Sequence, residues 1–302
     1  MRLAGLAGAA TLATPGFAFA EAKKRKFEIG ATFILWGYSA NNLEPSLQDI
    51  SALGYHAFET FGNVIEDYEK NRGGFLPVVQ KYGVPLVSTF CQTDIVDPSK
   101  KAGDMEKLVR WAKMTKATGG KVIEYCASNV NRKGFDYKQH KDYMISSMND
   151  YAKAVTDEGL VCALHPHTGT AIETEEEIYY VMENVDTRYM KFGPDVGQIQ
   201  KGGGDPVKIC KDFVSLIEHV HLKDFAGGDN GWLGYSPLGQ GKVQLANILD
   251  MLEKKKKKMA GMIMFELDYD NKVKPAYAPL EAAKISRDFL AGLDYKFEKK
   301  TM

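Results

Sequence analysis

From position 27 onward, short runs rich in β-branched and aromatic residues alternate with longer segments in which apolar residues recur at helical spacing. The β-like runs cover 27–35, 56–60, 85–90, 121–126, 161–165, 189–195, 217–223 and 261–266. Between and after them, helical periodicity covers 46–53, 104–118, 137–158, 175–183 and 280–290, with a further apolar stripe at Leu245, Ile248, Leu249 and Leu252. Gly54, Gly83, Gly119 and Gly159 each stand between a helical stretch and the next β-like run, where a helix ends most cheaply in a left-handed residue. Eight such units with no linker predict an α/β fold: a (β/α)8 TIM barrel formed as a single domain over 21–302. An open doubly wound sheet would fit the same alternation. However, no G-x-G-x-x-G follows the first run and no Walker loop occurs anywhere, so the count of eight favours closure.

Composition narrows the partners. The 302 residues carry 39 basic and 39 acidic side chains, so no global field draws the molecule to nucleic acid or to an anionic membrane. A small, neutral or weakly charged molecule fits better, and a homo-oligomer is compatible with the chain. The lysine run Lys254 to Lys258 continues the apolar stripe of the preceding helix and reads as its solvated end. Residues 1–20 differ from the rest: one basic residue, no acid, an Ala/Gly/Leu stretch, and a closing Ala18-Phe19-Ala20 of the small-x-small form that signal peptidases cut. They predict an export signal, and hence a periplasmic or secreted protein. The weak Ala/Gly-rich h-region is of twin-arginine type, although only Arg2 precedes it, as in a start placed inside a longer signal. No later stretch reaches the ~20 apolar residues of a membrane span. The four cysteines, Cys91, Cys126, Cys162 and Cys210, stand singly in apolar surroundings and read as core residues.

In a closed barrel the chemistry sits where strands end and βα loops begin, so polar residues that close apolar runs carry the most weight. They are Glu59, Glu124, His165 with His167, Asp195, His221 with Lys223 and Asp224, and Glu266 with Asp268. Taken one at a time, each is as well explained as a helix cap or loop hydrogen-bonder. Together, the ends of the fifth to eighth runs offer His165, Asp195, His221 and Glu266, two imidazoles and two carboxylates pointing into one mouth. That donor set suits one divalent first-row ion, with Mn, Fe, Co or Zn favoured over Mg by the nitrogen ligands. Mn is the first choice.

The stretch His219-Val-His-Leu-Lys-Asp224 resembles the H-x-H-x-K-D segment of the xylose isomerase-like sugar isomerase/epimerase superfamily, particularly its inosose dehydratase-like branch. Further stretches resemble that branch at matching strands. They are His165-Pro-His-Thr-Gly-Thr170 with Glu173-Thr174, Pro194-Asp-Val-Gly197 with Gly203-Gly-Asp-Pro206, Pro237-Leu-Gly-Gln-Gly-Lys242, and Phe265-Glu266. The resemblance implies that Asp195, His221 and Glu266 ligate the metal. Many members end the fifth strand in a glutamate where this chain has His165, so His165 is the expected fourth ligand, with Glu173 as its alternative and His167 on the same side for substrate. Gln198 stands where a histidine is usual.

A metal beside acids and bases suits proton abstraction next to a carbonyl. Glu266 is the expected base as well as a ligand, as resembling epimerases imply. Glu59 and Glu124 are further catalytic candidates. Lys223 either stabilises an oxyanion or forms an ion pair with Asp224 or Glu266. Trp36, Trp232 and Gln198 are candidates for contacting the sugar, with core packing the competing role for Trp36. The expected activity is isomerase or epimerase chemistry on an unphosphorylated carbohydrate, since no paired arginines or Gly-rich helix start would cradle a phosphate. Elimination from a 3-keto-glycoside or keto-inositol is the alternative reaction. A non-catalytic carbohydrate-binding barrel is the alternative of another class.

Overall fold

The computed structural model describes residues 24–228, 232–268 and 273–298. The eight alternating runs form eight parallel strands: β1 (Ile29–Thr32), β2 (Phe58–Phe61), β3 (Leu86–Thr93), β4 (Val122–Ala127), β5 (Val161–Leu164), β6 (Met190–Phe192), β7 (Val220–Leu222) and, eighth in the barrel, β10 (Ile263–Phe265). The sheet runs β6-β5-β4-β3-β2-β1-β10-β7. Parallel bridges Phe192↔Ile217 and Asp195↔His221 link its two ends. Glu218 and His221 donate their backbone N–H to the carbonyls of Phe192 and Pro194, which closes the ring as the count of eight predicts.

The sixth strand is shorter than its apolar run because Pro194 has no N–H to give and Asp195 already caps the next helix. The segment after the seventh strand contains a small antiparallel ribbon of β8 (Asp224–Phe225) and β9 (Tyr235–Ser236). The predicted helices are present as α1 (Leu43–Leu53), α4 (Lys101–Ala117), α5 (Tyr137–Asp157), α6 (Glu175–Asn184), α9 (Leu245–Glu253) and α10 (Pro279–Gly292). Short helices α2 (Gly62–Asn71), α3 (Leu76–Tyr82), α7 (Val196–Lys201) and α8 (Pro206–Asp212) fill the remaining connections. Gly54 ends α1 at φ 80°, a left-handed cap that a side chain would strain.

The main core lies between the sheet and the helices. Leu43, Leu47 and Ile50 of α1, Met148, Tyr151 and Val155 of α5, and Leu245, Ile248 and Leu249 of α9 are all fully or almost fully buried against it. Inside the barrel the packing is thinner: Met264 lies against Ala57 and Val87 and so close to Gly30 that a Cβ there would fall 2.6 Å from its sulfur. Period-two alternation sends Glu266 to the same side as Met264 and Met262, and His221 to the same side as His219 and Lys223. A hydrocarbon floor thus supports a polar mouth.

The four cysteines are buried and unbridged. Arg25 and Lys26 tie the start of the described chain to the barrel: Arg25 Nη1 lies 2.7 Å from Asp250 Oδ1, and the Lys26 N–H donates to Glu253 at 2.7 Å. The lysine run follows the end of α9 and is largely exposed, as expected. The segment 1–20, with its export reading, lies outside the described residues. Among the described residues no helix is long and apolar enough to cross a membrane.

Candidate metal centre and active site

The strand register brings the polar strand ends to one height. Asp195 bridges His221, Met264 pairs with His221, and the His165 N–H donates to the Tyr125 carbonyl at 2.7 Å. Five buried carboxylates, Glu59, Glu124, Asp195, Glu266 and Asp268, meet His165, His221 and the Lys223 ammonium there.

Each of the two central imidazoles has a carboxylate behind it. His165 Nδ1 is hydrogen-bonded to Glu124 Oε1 at 3.0 Å, and its Nε2 points towards Asp195 Oδ2, 3.9 Å away. His221 Nε2 lies 2.9 Å from Glu59 Oε1, and its Nδ1 lies 2.9 Å from Glu266 Oε2. Glu59 is itself anchored deeper in the barrel. Its Oε2 accepts from Ser88 at 2.5 Å and from His219 Nε2 at 3.1 Å, while His219 Nδ1 accepts the Met262 N–H, which fixes that ring as a neutral Nε2–H tautomer.

Asp195 divides its work between two oxygens. Oδ1 caps α7 by accepting the N–H groups of Gly197 and Gln198, both at 2.9 Å, and Oδ2 faces Lys223 Nζ at 2.7 Å. The ammonium also touches Glu266 Oε1 at 2.6 Å and Asp268 Oδ2 at 2.9 Å. Lys223 is fully buried and passes over Gly197, where a Cβ would stand 2.8 Å from its Cγ. This explains the glycine of the Pro194-Asp-Val-Gly197 stretch. Of the two expectations for Lys223 the ion pair holds, with Asp195, Glu266 and Asp268 as partners. Asp224 is not one of them: its carboxylate accepts backbone N–H groups from Phe225, Gly239, Gly241 and Val243.

The electrostatics follow from crowding in a dry site. Burial pushes the Glu124 carboxyl well above the usual range, and the neighbouring carboxylates of Glu59, Glu266 and Asp195 add to it. Burial likewise raises Asp195, partly opposed by Lys223. Burial also opposes the charge of Glu59, yet the His221 and His219 rings outweigh it and hold that carboxyl at about 2. Glu266 is held well below its ordinary value because His221 and Lys223 overcome the same burial. His165 is kept neutral, first by burial and then by His221 and His167. Burial works against the Lys223 charge, but Asp195, Asp268 and Glu266 hold it firmly protonated.

The donor set fits a divalent cation. The atoms of Asp195, His221 and Glu266 lie close enough together to share one ion, and so do those of Glu124, His165 and His221. Asp195 Oδ2 and both His221 nitrogens are fully buried without a hydrogen bond of good geometry, although oppositely charged atoms lie near them. Asp195 Oδ2 and His221 Nδ1 are thereby left available to a shared ion, while His221 Nε2 faces Glu59. Three carboxylates, Asp195, Glu266 and Asp268, also crowd the one fixed lysine, and a cation beside them would offset the negative charge it leaves. Glu173 is engaged elsewhere, accepting from the Gly169 N–H and lying 3.6 Å from Arg132, and it belongs to neither group.

Beside these residues a cavity of about 330 Å³ opens at the mouth. His165, His167, Glu59, Glu266 and Asp268 line one side, with no lysine or arginine among the described lining residues. Three expectations for sugar contacts are corrected. Trp36 does not line the cavity; its indole N–H donates to Asp49 at 2.8 Å. Trp232 is packed into the core, and the adjacent Leu233 lines the cavity instead. Gln198 is buried with its amide saturated: Oε1 accepts from the Thr168 N–H and Oγ1, and Nε2 donates to His167 Nε2 and Asp268 Oδ2. It positions His167 and Asp268 rather than touching a ligand. Glu124, proposed as a catalytic group, likewise stands behind His165 and away from the cavity.

Sequence reasoning missed Asp268 as a partner of Lys223 and His219 as the support of Glu59, although both stood within the strand-end motifs. It gave no sign of Asn63, Gln92 and Asn129, polar lining residues with no motif around them.

A family model described as xylose isomerase-like TIM barrel matches residues 47–293. Inosose dehydratase of Clostridium botulinum (strain Alaska E43 / Type E3) is 25% identical over 195 residues, covering 61% of this chain and 64% of that protein. The chain thus spans just under two thirds of that relative. Solved structures of other proteins share the fold. The 3-keto-D-glucoside 4-epimerase YcjR from E. coli has a TM-score of 0.67 and 17% identity, over 89% of this chain and 99% of that one. The IOLI protein with a bound zinc atom has a TM-score of 0.69 and 13% identity, over 90% of this chain and 100% of that one.

Proposed function

Since the chain belongs to the xylose isomerase-like TIM-barrel family, we propose that it is a divalent-metal-dependent sugar isomerase or epimerase that removes a proton next to a carbonyl of an unphosphorylated carbohydrate. The observation that carries this reading is the set of buried residues His165, Asp195, His221 and Glu266, which fall in two overlapping three-residue clusters joined at His221, beside a cavity whose described lining has no cation for a phosphate. These four residues would hold the ion, and Mn is our preferred metal for two nitrogen and two oxygen donors. When bound, the metal supplies Lewis-acid polarisation of the sugar oxygens.

The chain's own residues do the rest. Glu266 lines the cavity and is kept ionised by His221 and Lys223, so it is the carboxylate placed to accept the substrate proton, although the same two neighbours weaken it as a base. Lys223 Nζ, held between Glu266 Oε1 and Asp268 Oδ2, fixes both carboxylates and balances their charge. Glu124 and Glu59 orient the two imidazoles from behind. His167, with Nδ1 on the Thr168 carbonyl and Nε2 on Gln198, presents a ring edge to the sugar. The small-x-small stretch at Ala18-Phe19-Ala20 supports an exported enzyme, for which unphosphorylated sugars are the natural substrates.

The test is solvent deuterium exchange. The protein is stripped with chelator, reloaded with Mn²⁺, Co²⁺, Zn²⁺ or Mg²⁺, and offered free ketoses, keto-inositols and 3-keto-glycosides. Metal-dependent incorporation of deuterium next to the carbonyl is expected. Release of an aglycone with that exchange assigns the lyase reaction instead. Sugar binding that survives chelation with no exchange at all refutes catalysis and leaves a binding barrel.

A further inference from the structure

The side of the cavity facing away from the metal-ligating cluster is built differently. Phe90 stands edge-on to the His165 ring with centroids 5.4 Å apart, Phe61 stands edge-on to Phe90 at 5.6 Å, and Tyr38 lies nearly parallel to Phe61 at 6.1 Å. These rings form an unbroken aromatic path from the metal-ligating cluster to the surface, with Trp111 and Phe33 also in the wall. The path ends in solvent: Tyr38 is 50% exposed, and Leu233, also on the lining, is 40% exposed at a φ of 56°. Five large apolar side chains are exposed among the described residues, and two of them stand at this one cavity.

A free sugar has hydroxyls around its whole ring and gains little from such a surface beyond the first stacking contact. An apolar group carried by the sugar gains along its full length, because flat rings stack well on aromatic side chains and lose little rotational freedom. An exposed apolar rim continuous with a polar, charged site therefore matches a ligand with the same two halves. We infer that the cavity contains an aglycone subsite, and that the substrate is an uncharged glycoside whose sugar ring lies at His165 and Glu266 while a flat aromatic aglycone stacks along Phe61 and Tyr38 beneath Leu233. This rests on the sugar-site reading above and adds the chemical class of the second half.

The test compares phenyl and methyl 3-keto-β-D-glucosides by calorimetric titration of the whole, metal-loaded protein. The phenyl compound is expected to bind about tenfold more tightly, and Tyr38→Ala and Phe61→Leu should each reduce that ratio towards one. A ratio is read, so a general loss of affinity in either variant does not imitate the effect. Equal affinity for the two glycosides, no binding of the phenyl compound, or a preference that survives both substitutions overturns the subsite. The sugar-site reading is judged separately, by deuterium exchange into free ketoses, keto-inositols and 3-keto-glycosides: exchange without a phenyl preference removes the subsite alone, and a phenyl preference without exchange into any of them retains the subsite while removing the catalytic reading.

Discussion

Glu59 Oε1 lies 2.9 Å from His221 Nε2, on the opposite side of the imidazole from Glu266. The ring is thereby held from both sides, with Nδ1 turned towards Asp195 and Glu266 and Nε2 turned into the barrel. Glu59 cannot drift, because its second oxygen is fixed by Ser88 and by a His219 ring whose tautomer the Met262 N–H sets. A carboxylate behind a ligating histidine orients it and strengthens it as a donor. Glu59→Gln should therefore weaken metal binding about 10–100-fold while the protein stays folded. Competition with a chromophoric chelator measures it, and an unchanged affinity would show that Glu59 does not act through His221.

The fourth ligand has a similarly direct check. His165 is held by Glu124 with its Nε2 towards Asp195, whereas Glu173 is occupied by the Gly169 N–H and Arg132. Elemental analysis of purified variants should find the metal lost from His165→Ala and Asp195→Ala and retained in Glu173→Ala. Retention in His165→Ala with loss in Glu173→Ala would require the loop after the fifth strand to refold around the ion.

Gly197 tests the packing that positions Lys223. An alanine Cβ there would stand 2.8 Å from Lys223 Cγ, 2.9 Å from its Cβ and 3.0 Å from its carbonyl oxygen, and all three belong to a fully buried residue with no room to move. Gly197→Ala should destabilise the fold by about 1–3 kcal/mol through overpacking. It should also shift the ammonium off Asp195. Urea unfolding reads the first effect. A variant as stable as the parent would mean that α7 can slide away from the seventh strand.

Much of this arrangement is legible in the sequence because two periodicities carry it. His165, Asp195 and Glu266 follow β5, β6 and β10, while Glu59, Glu124 and His221 are polar residues set inside β2, β4 and β7, and in a closed barrel those that point inwards meet at one mouth. What each does there is set by distances that no periodicity encodes. In the sequence Glu124 and Glu266 look like the same kind of strand-end residue, yet Glu124 lies inside β4 and stands behind a ring, whereas Glu266 follows β10 and faces the cavity. Gln198 sits at a position expected to touch substrate, but its amide is spent on Thr168, His167 and Asp268, which come from two other parts of the chain. Trp36 and Trp232 carry the right chemistry for a sugar and are taken instead by Asp49 and by the core. The aromatic path through Phe90, Phe61 and Tyr38 is assembled from the second and third strands and the loop after the first, so no single stretch of sequence displays it.

Asp224 shows how two separate sequence motifs prove to be one structural unit. It closes the His219-Val-His-Leu-Lys-Asp224 stretch, and its buried carboxylate accepts the N–H groups of Phe225, Gly239, Gly241 and Val243 at 2.9 to 3.0 Å. Three of those donors lie in or next to the Pro237-Leu-Gly-Gln-Gly-Lys242 stretch. Gly241 is glycine for the same reason, since a Cβ would fall 2.1 Å from Asp224 Oδ1. Asp224→Ala leaves four backbone donors without their acceptor, of which the Val243 N–H is buried and the others are partly open to water, and should cost about 1–3 kcal/mol. Limited proteolysis should then cut within 237–243, whereas the parent resists. Because the Asp224 carboxylate is bonded to backbone N–H groups and not to Lys223 or the ligating residues, metal content should persist under conditions where the variant remains folded. Loss of metal from a variant with an unchanged melting temperature would instead make Asp224 part of the metal centre and reverse its assignment as the anchor of this loop.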